Sequence, residues 1–487
     1  MVELGKTART LSWTLAVTSI IKCQWGIGMM AIPFMLQQGG LYFGMAQFIA
    51  AMFLTADGIL RLIAVKSAIL ERAEPLQQLQ HDSSTTPCAR SVPFVTEDWL
   101  DMTGADALEQ TTASMRRVSR YTEQQHAAMS GDVRAEQLDY CGTIREVLGW
   151  KAEALALFTI VVSSYGSNIA YVLFIAENLK RFLPDDVGLA EWEWALMCLP
   201  PWLLLATAED VQFLAPFGVL GIVFALGFEG VMLYNLATEV SWQELLGWMH
   251  DTPLIQPATV PIAISVAAFC NEGIVLMALS VQQQMRSPAR FPSAMAAALT
   301  VFATLYLLVG IAGFALFGRA GQSVPSPISD AFDATPLHIA AVSLYALQLV
   351  PTYSIVMWLS YSAVENAYLR FRKITIGSVA HRRLKWRAFV PARFLAVGLS
   401  ALVALTITDF GDFVALIGAF ANALGIYLFP HLCWLRVFGA QAMTDRSPQL
   451  LLQFGMSVVV VLFACALAVD GTRTSIESML DGNRSSS

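Results

Sequence analysis

Runs of about twenty apolar residues, separated by short polar stretches, recur along almost the whole chain. A helix rises 1.5 Å per residue, so a run of about twenty crosses the roughly 30 Å of hydrocarbon in a bilayer. Eleven runs meet that length, near 11–36, 41–64, 153–176, 190–207, 214–236, 259–282, 292–317, 338–361, 390–408, 412–434 and 450–469. They predict an all-α integral membrane protein of about eleven transmembrane helices, with the lipid bilayer as its solvent. The implied organisation is a cytosolic N-terminus over 1–10, helices 1 and 2 over 11–65, a cytosolic loop over 66–150, helices 3 to 11 over 151–469 and a polar C-terminal tail over 470–487. The first run is longer than the apolar part of a signal peptide and ten more follow it, so it reads as a retained helix.

Two runs are interrupted near their middle. The first holds Lys22, Gly26 and Gly28 within IIKCQWGIGMMAIP, Ile20 to Pro33, and the sixth holds Asn271, Glu272 and Gly273 within AAFCNEGIVLMAL. Backbone that leaves the helix at membrane depth is tolerated where it lines a cavity, so such breaks mark binding sites. A charge at the bilayer centre costs at least about 2.5 to 3.5 kcal/mol, so Lys22 and Glu272 need partners or water. The two helices enter from opposite sides and both residues fall near mid-depth, which leads to the expectation that they face one cavity. A broken helix 1 and a broken helix 6 are the pattern of an inverted repeat, five helices followed by five more with the eleventh added.

Composition strengthens the membrane assignment. The chain is 56% hydrophobic and 14% charged with a mean hydropathy of +0.57, whereas a soluble domain is about 25% charged. Short loops on the side of the N-terminus carry 14 basic residues, from Lys6 and Arg9 to Arg436 and Arg446, against five on the other side. Basic residues are retained in the cytosol, so the N-terminus is expected in the cytosol and the C-terminus outside it. The net charge of -7 is spread over both sides, and no basic stripe marks nucleic acid as a partner. The seven cysteines fall in expected helices or in the cytosolic loop, which argues against a structural disulfide. There is no CxxC, HExxH or Cys/His cluster with metal spacing and no GxxxxGK[ST] loop, so neither a metal, a cofactor nor ATP-driven transport is expected. From Lys66 to about Leu138 the chain is rich in Gln, Ser, Thr and Ala with alternating charge, and its middle, 96–136, reads as disordered or loosely helical. The tail ends in a sequon, Asn483 to Ser485, and reads as floppy.

Several further residues carry weaker expectations. Asp57 and Arg61 are four apart and read as a local pair near a helix end. Glu229 fits either a vestibule or the outer interface. His338 and His431 lie near helix ends and read as interfacial. Tyr165, Asn168 and Tyr171 recur every three residues on one face of helix 3, a candidate pocket wall, with Thr352 and Tyr353 beside Pro351 as its counterpart in helix 8.

Several stretches together resemble one family. LDYCGTIREVLGW and SNIAYVLFIAENLKRF around helix 3, DVQFLAPFGVLGIVFAL into helix 5, NEGIVLMALSVQQQMRSPARFP from the sixth break, VFATLYLLVGIAGFALFG, LQLVPTYSIVMW and VALIGAFANALGIYLFP are similar to blocks of the amino acid/auxin permease family in their usual order. The likeness is greatest to its proton-coupled amino acid transporter branch and covers nearly all of the chain except the long cytosolic loop. It implies a leucine-transporter-like fold with a 5+5 inverted repeat and broken helices 1 and 6, and amino acids as substrates. The chain departs from the family pattern at Ile27, where Ser or Thr is usual, at the bulkier Trp25, at Asn271, where an aromatic residue is usual, and at Ser280 and Gln282. The substrate-binding candidates are therefore Gly26, Ile27, Gly28, Tyr165, Asn168, Asn271, Glu272, Gly273 and Tyr353.

The expected chemistry follows from the breaks. Amides freed around Gly26 to Met29 hold a substrate carboxylate at a helix N-terminus, and free carbonyls with Asn271 receive its ammonium. The sodium-coupled branch has Asn at the place of Lys22 and the proton-coupled branch has Lys, so Lys22 stands in for a bound cation and Glu272 carries the proton. Against this stand glycines that serve close packing alone, and a static Lys22–Glu272 pair. The expected function is secondary active, proton-coupled amino acid transport in the plasma membrane or an acidic organelle. Sodium-coupled or uncoupled transport and a non-transporting sensor are the alternatives, and an enzyme is not expected.

Overall fold

The computed structural model describes residues 11–82, 138–182, 199–207, 215–318, 323–374, 378–407 and 409–485, with isolated positions between 193 and 197. Among them every regular element is helical, and the one extended contact is an isolated bridge between Leu11 and Met285. In chain order the α-helices are α1 (Trp13–Gln24), α2 (Ile32–Gly39), α3 (Leu41–Asp82), α4 (Tyr140–Leu148), α5 (Trp150–Phe182), α6 (Leu199–Ala206), α7 (Ala215–Glu239), α8 (Trp242–Asp251), α9 (Val260–Cys270), α10 (Glu272–Gln284), α11 (Phe291–Phe317), α12 (Pro336–Arg372), α13 (Val379–Leu384), α14 (Val390–Ala404), α15 (Phe410–Ile417), α16 (Phe429–Asp445), α17 (Pro448–Ala466) and α18 (Thr472–Ser485).

Eight helical segments among the described residues are long and apolar enough to cross a membrane, and the bent pair Trp13–Gln24 with Ile27–Gly39 makes a ninth. The eleven spans expected from the sequence are thus not all of one kind. The run at 190–207 lies partly outside the described residues and is represented by α6. The run at 259–282 is divided at Asn271 into α9 and α10, of 11 and 13 residues, neither long enough to span alone.

The chain falls into two units. One comprises Arg9–Ile63 and Tyr140–Ser487; the other comprises Met1–Ala8 and Ala64–Asp139. In the second, Lys66 Nζ donates to the carbonyl of Leu138 at 2.6 Å. The expectation of disorder over 96–136 lies outside the described residues.

At the centre of the larger unit is α9, with eight buried residues between Ile262 and Cys270. It packs on α2, on α15 and on a π-helical stretch, Gly418–Leu428. Gly418 touches the carbonyl of Ser265 so closely that a Cβ there would overlap it. Gly40, at a φ of +83°, turns the chain sharply from α2 into α3.

The tail expected to be floppy is helical. A π turn, Leu467–Gly471, joins α17 to α18, which packs against α15. Thr472, Ser475 and Ser478 recur every three residues and so share a face; Ser475 is buried, and Ser478 hydrogen-bonds the carboxylate of Asp412 on α15. Polar composition suggested a solvated tail, yet Ser475 and Ser478 face the protein while Arg473 and Glu477 face outward.

Candidate functional site

The first break begins where α1 ends at Gln24. A 3-10 turn, Ile27–Ala31, follows Gly26, and the two helical halves meet at 51°. Unwinding frees carbonyl groups that cannot be left bare at membrane depth. Two tyrosines satisfy them: Tyr306 Oη on α11 donates to the carbonyl of Gln24 at 2.8 Å, and Tyr345 Oη on α12 donates to that of Gly26 at 2.8 Å. Both tyrosines are fully buried. The hydroxyl of Tyr171, on α5, hydrogen-bonds the backbone of Ile27 and lies 2.7 Å from where a Cβ on Gly26 would be.

The second break lies directly against the first. Gln24 Oε1 accepts from the amide of Ile274 at 3.1 Å, and Cys270 Sγ donates to the carbonyl of Gly28 at 3.5 Å. A Cβ on Gly273 would overlap the carbonyl of Cys23, and one on Gly28 would lie 3.0 Å from Cys270 Sγ. The glycines therefore serve close packing and border the cavity at once.

Glu272 opens α10 and takes three donors. Ser163 donates to its carboxylate at 2.5 Å, Asn422 Nδ2 at 3.0 Å, and Ser167 donates to the other oxygen. Ser163 and Ser167 are one turn apart on α5, and Asn422 lies in the π stretch. Lys22 has other neighbours: Nζ donates to Gln348 Oε1 and Thr352 Oγ1 on α12, both at 2.7 Å, with Gly221 of α7 beside it. Glu272 borders the cavity at the helix breaks and Lys22 does not, so the expectation that they share it is not met there, and the alternative of a static Lys22–Glu272 pair is not met either, because the two side chains form no ion pair.

A cavity of about 30 Å³ lies at the breaks, bordered by Gly26, Ile27, Gly28, Glu272 and Gly273, with Gln24, Ser163 and Tyr171 beside them. Four expected residues are not on its wall. Tyr165 Oη donates to the carbonyl of Ala396 on α14. Tyr353 stacks on Trp202 at 4.3 Å and shares a hydrogen bond of 2.7 Å with Ser400. Asn168 and Asn271 are fully enclosed; Asn271 Nδ2 donates to Ala267, its Oδ1 has no partner, and neither side-chain atom of Asn168 has one. Gln24, Ser163, Ser167, Asn422, Tyr306 and Tyr345 were not singled out from the sequence. Their signal was present only as isolated polar positions in apolar runs.

The remaining polar residues gain definite places. Asp57 accepts from Arg61 at 2.5 Å, as its spacing implied, and also faces His431 Nε2 at 3.2 Å. His431 is fully buried. His338 is buried against Asn235 at 2.8 Å. Glu229 is buried as well, with Oε1 unpartnered.

The arrangement can orient a small zwitterion between unwound backbone and a carboxylate, and among the described residues that carboxylate is balanced by neutral donors alone. A family described as "Transmembrane amino acid transporter protein" matches residues 117–472. The Amino acid transporter ANT1 of Arabidopsis thaliana is 25% identical over 346 residues, 68% of this chain and 74% of that protein. The Proton-coupled amino acid transporter-like protein pathetic of Drosophila melanogaster is 22% identical over 284 residues, and the match spans 55% of its length. Among solved structures, MhsT in complex with L-phenylalanine superposes over 96% of this chain and 97% of its own, with a TM-score of 0.52 at 13% identity. This likeness gives the chain the leucine-transporter-like fold.

Proposed function

Because the chain belongs to the transmembrane amino acid transporter family, we propose that it carries amino acids across a membrane by alternating access, with a proton as the coupling ion. The observation that carries this reading is Glu272, a carboxylate on the wall of the cavity between two apposed helix breaks, held among the described residues by Ser163, Ser167 and Asn422 and by no cation.

Its chemistry supports proton coupling. An ionised carboxylate only accepts hydrogen bonds, whereas a protonated one also donates. With the proton on the oxygen that faces Ser167, that hydroxyl turns from donor to acceptor while Asn422 still donates to the other oxygen. Protonation of Glu272 thus reverses a hydrogen bond between α10 and α5, so the charge state is linked to the bonding between helices. Lys22 supplies a fixed ammonium on Gln348 and Thr352 where a sodium-coupled carrier would bind a cation.

The substrate carboxylate takes the amides of Ile27 and Gly28 in the Gly26 to Met29 stretch, displacing the Tyr171 hydroxyl from Ile27, while the Gly26 and Met29 amides keep their bonds to the carbonyls of Gln24 and Gly26. Its ammonium takes nearby carbonyls and, once the walls part, the unpartnered Oδ1 of the enclosed Asn271. A cavity of 30 Å³ holds one or two waters and no amino acid, so binding requires the walls to part. Basic residues on the N-terminal side support a cytosolic N-terminus, in the plasma membrane or an acidic organelle.

The test is uptake of a labelled amino acid pool into proteoliposomes under a proton gradient and, separately, a sodium gradient. Accumulation driven by protons alone supports the reading. Accumulation driven by sodium alone, or binding with no flux, overturns it in favour of a sodium-coupled carrier or a sensor.

A further inference from the structure

Two internal cavities meet at Glu272. The first lies at the helix breaks; the second, of about 20 Å³, shares only Ser163 and Glu272 with it and is otherwise formed by α5, α10, the π stretch and Tyr140. Its direction is set by three independent displacements. Thr159 and Ile160 lie one turn before Ser163 on α5, Val275 lies one turn after Glu272 on α10, and Gly425 and Ile426 lie one turn after Asn422. In a span that starts on the N-terminal face and two that run toward it, all three steps lead to that face.

Tyr140 closes this end. It is the first residue of α4, it is buried, and its Oη donates to the carbonyl of Gly425 at 2.5 Å. Cys23, Cys270, Tyr171 and Tyr306 border the first cavity, Tyr140 borders the second, and Glu272 is the one charged residue lining either, among the described residues. The second cavity has room for about one water and none for a substrate.

We propose that this second cavity is a proton path, separate from the substrate path, through which Glu272 exchanges its proton with the N-terminal face, and that Tyr140 is its gate. The inference rests on the proton role given to Glu272 above. In the step itself the carboxyl O–H of Glu272 breaks, a water in the cavity takes the proton to become hydronium, and the carboxylate remains in the hydrogen bonds of Ser163, Ser167 and Asn422. The proton leaves when the Tyr140 hydroxyl swings off Gly425. Substrate and proton part company at Glu272, and Tyr140, which borders the second cavity alone, acts as a positioning residue through its bond to Gly425.

The experiment measures proton flux into proteoliposomes of the full chain without any amino acid, using an enclosed pH dye. Tyr140→Ala should raise this flux about fivefold or more, the shift expected for losing a hydrogen bond, and Tyr140→Phe at least about twofold. Adding Glu272→Gln to Tyr140→Ala should return the flux to the wild-type level, which a merely leaky, misfolded variant would not do. Wild-type flux in both single variants, or a leak that survives in the double variant, overturns the path; if Tyr140→Ala does not fold, Tyr140→Phe decides. Glu272→Gln alone distinguishes the two readings. Should its uptake keep full pH dependence, the proton role itself fails, whereas loss of that dependence beside silent Tyr140 variants refutes only the path.

Discussion

The side-chain oxygen of Gln24 accepts the amide hydrogen of Ile274 across 3.1 Å, so a residue at the end of one broken helix caps the start of the other. The four leading amides of α10 have no partners within the helix, and at membrane depth no bulk water replaces them. The two breaks are therefore one unit, and movement at either is felt at both.

Replacing Gln24 by Ala removes that cap and leaves the Ile274 amide buried without a partner. The expected cost is about 1 to 3 kcal/mol, read as a lowered Tm in detergent, with weaker substrate binding. An unchanged Tm would mean that the cap contributes nothing.

Gly273→Ala forces a methyl group into the Cys23 carbonyl. Backbone cannot yield as a flexible side chain does, so overpacking should cost about 1 to 3 kcal/mol and push the two helices apart. Thermal unfolding of the purified variant checks this, and wild-type stability would contradict the close approach.

Glu272→Gln removes the titrating group while keeping size. Wild-type uptake should rise as the side of entry is acidified, because loading requires the protonated acid; the variant should show a flat pH profile and a rate lower by about tenfold or more. Rates measured at several external pH values at constant membrane potential provide the comparison.

Lys22→Ala removes the ammonium that Gln348 Oε1 and Thr352 Oγ1 accept from and leaves both oxygens facing vacated space. Proton-driven uptake should fall, and sodium should raise the Tm of the variant while leaving that of the wild type unchanged. A variant indifferent to sodium would remove the idea that Lys22 occupies a cation's place.

Both breaks were legible in the sequence because glycine and charge are conspicuous in apolar runs. What they touch was not. Helical spacing tells which residues share a face, not which neighbour that face meets, so the serine and asparagine donors to Glu272 passed unnoticed. Tyr165 and Tyr171 show the limit of face arguments. At about 100° per residue, six positions leave them about 120° apart, enough for Tyr171 to reach the cavity while Tyr165 bonds α14. Helix rise gave Lys22 and Glu272 the same expected depth, but depth is one coordinate of three, and the two side chains meet different partners. The helical tail was hidden by its polar composition, because nothing in the spacing showed that Ser475 would be buried or that Ser478 would bond Asp412.

The π-helical stretch Gly418–Leu428 has one further implication. A π turn is an α turn with a residue inserted, so the sequence there is longer than its rise requires. Deleting one residue between Asn422 and Phe429 would remove an inserted residue and let that turn relax to α geometry with the residues beyond it kept in register, whereas the same deletion in an α-helical turn would rotate everything beyond by about 100°. Such a deletion would narrow the wide turn beside Glu272 without changing the face that the rest of the helix presents. Length, as well as composition, is thus part of the specification of this segment, and homologous chains should be aligned across it with a gap wherever the inserted residue is missing.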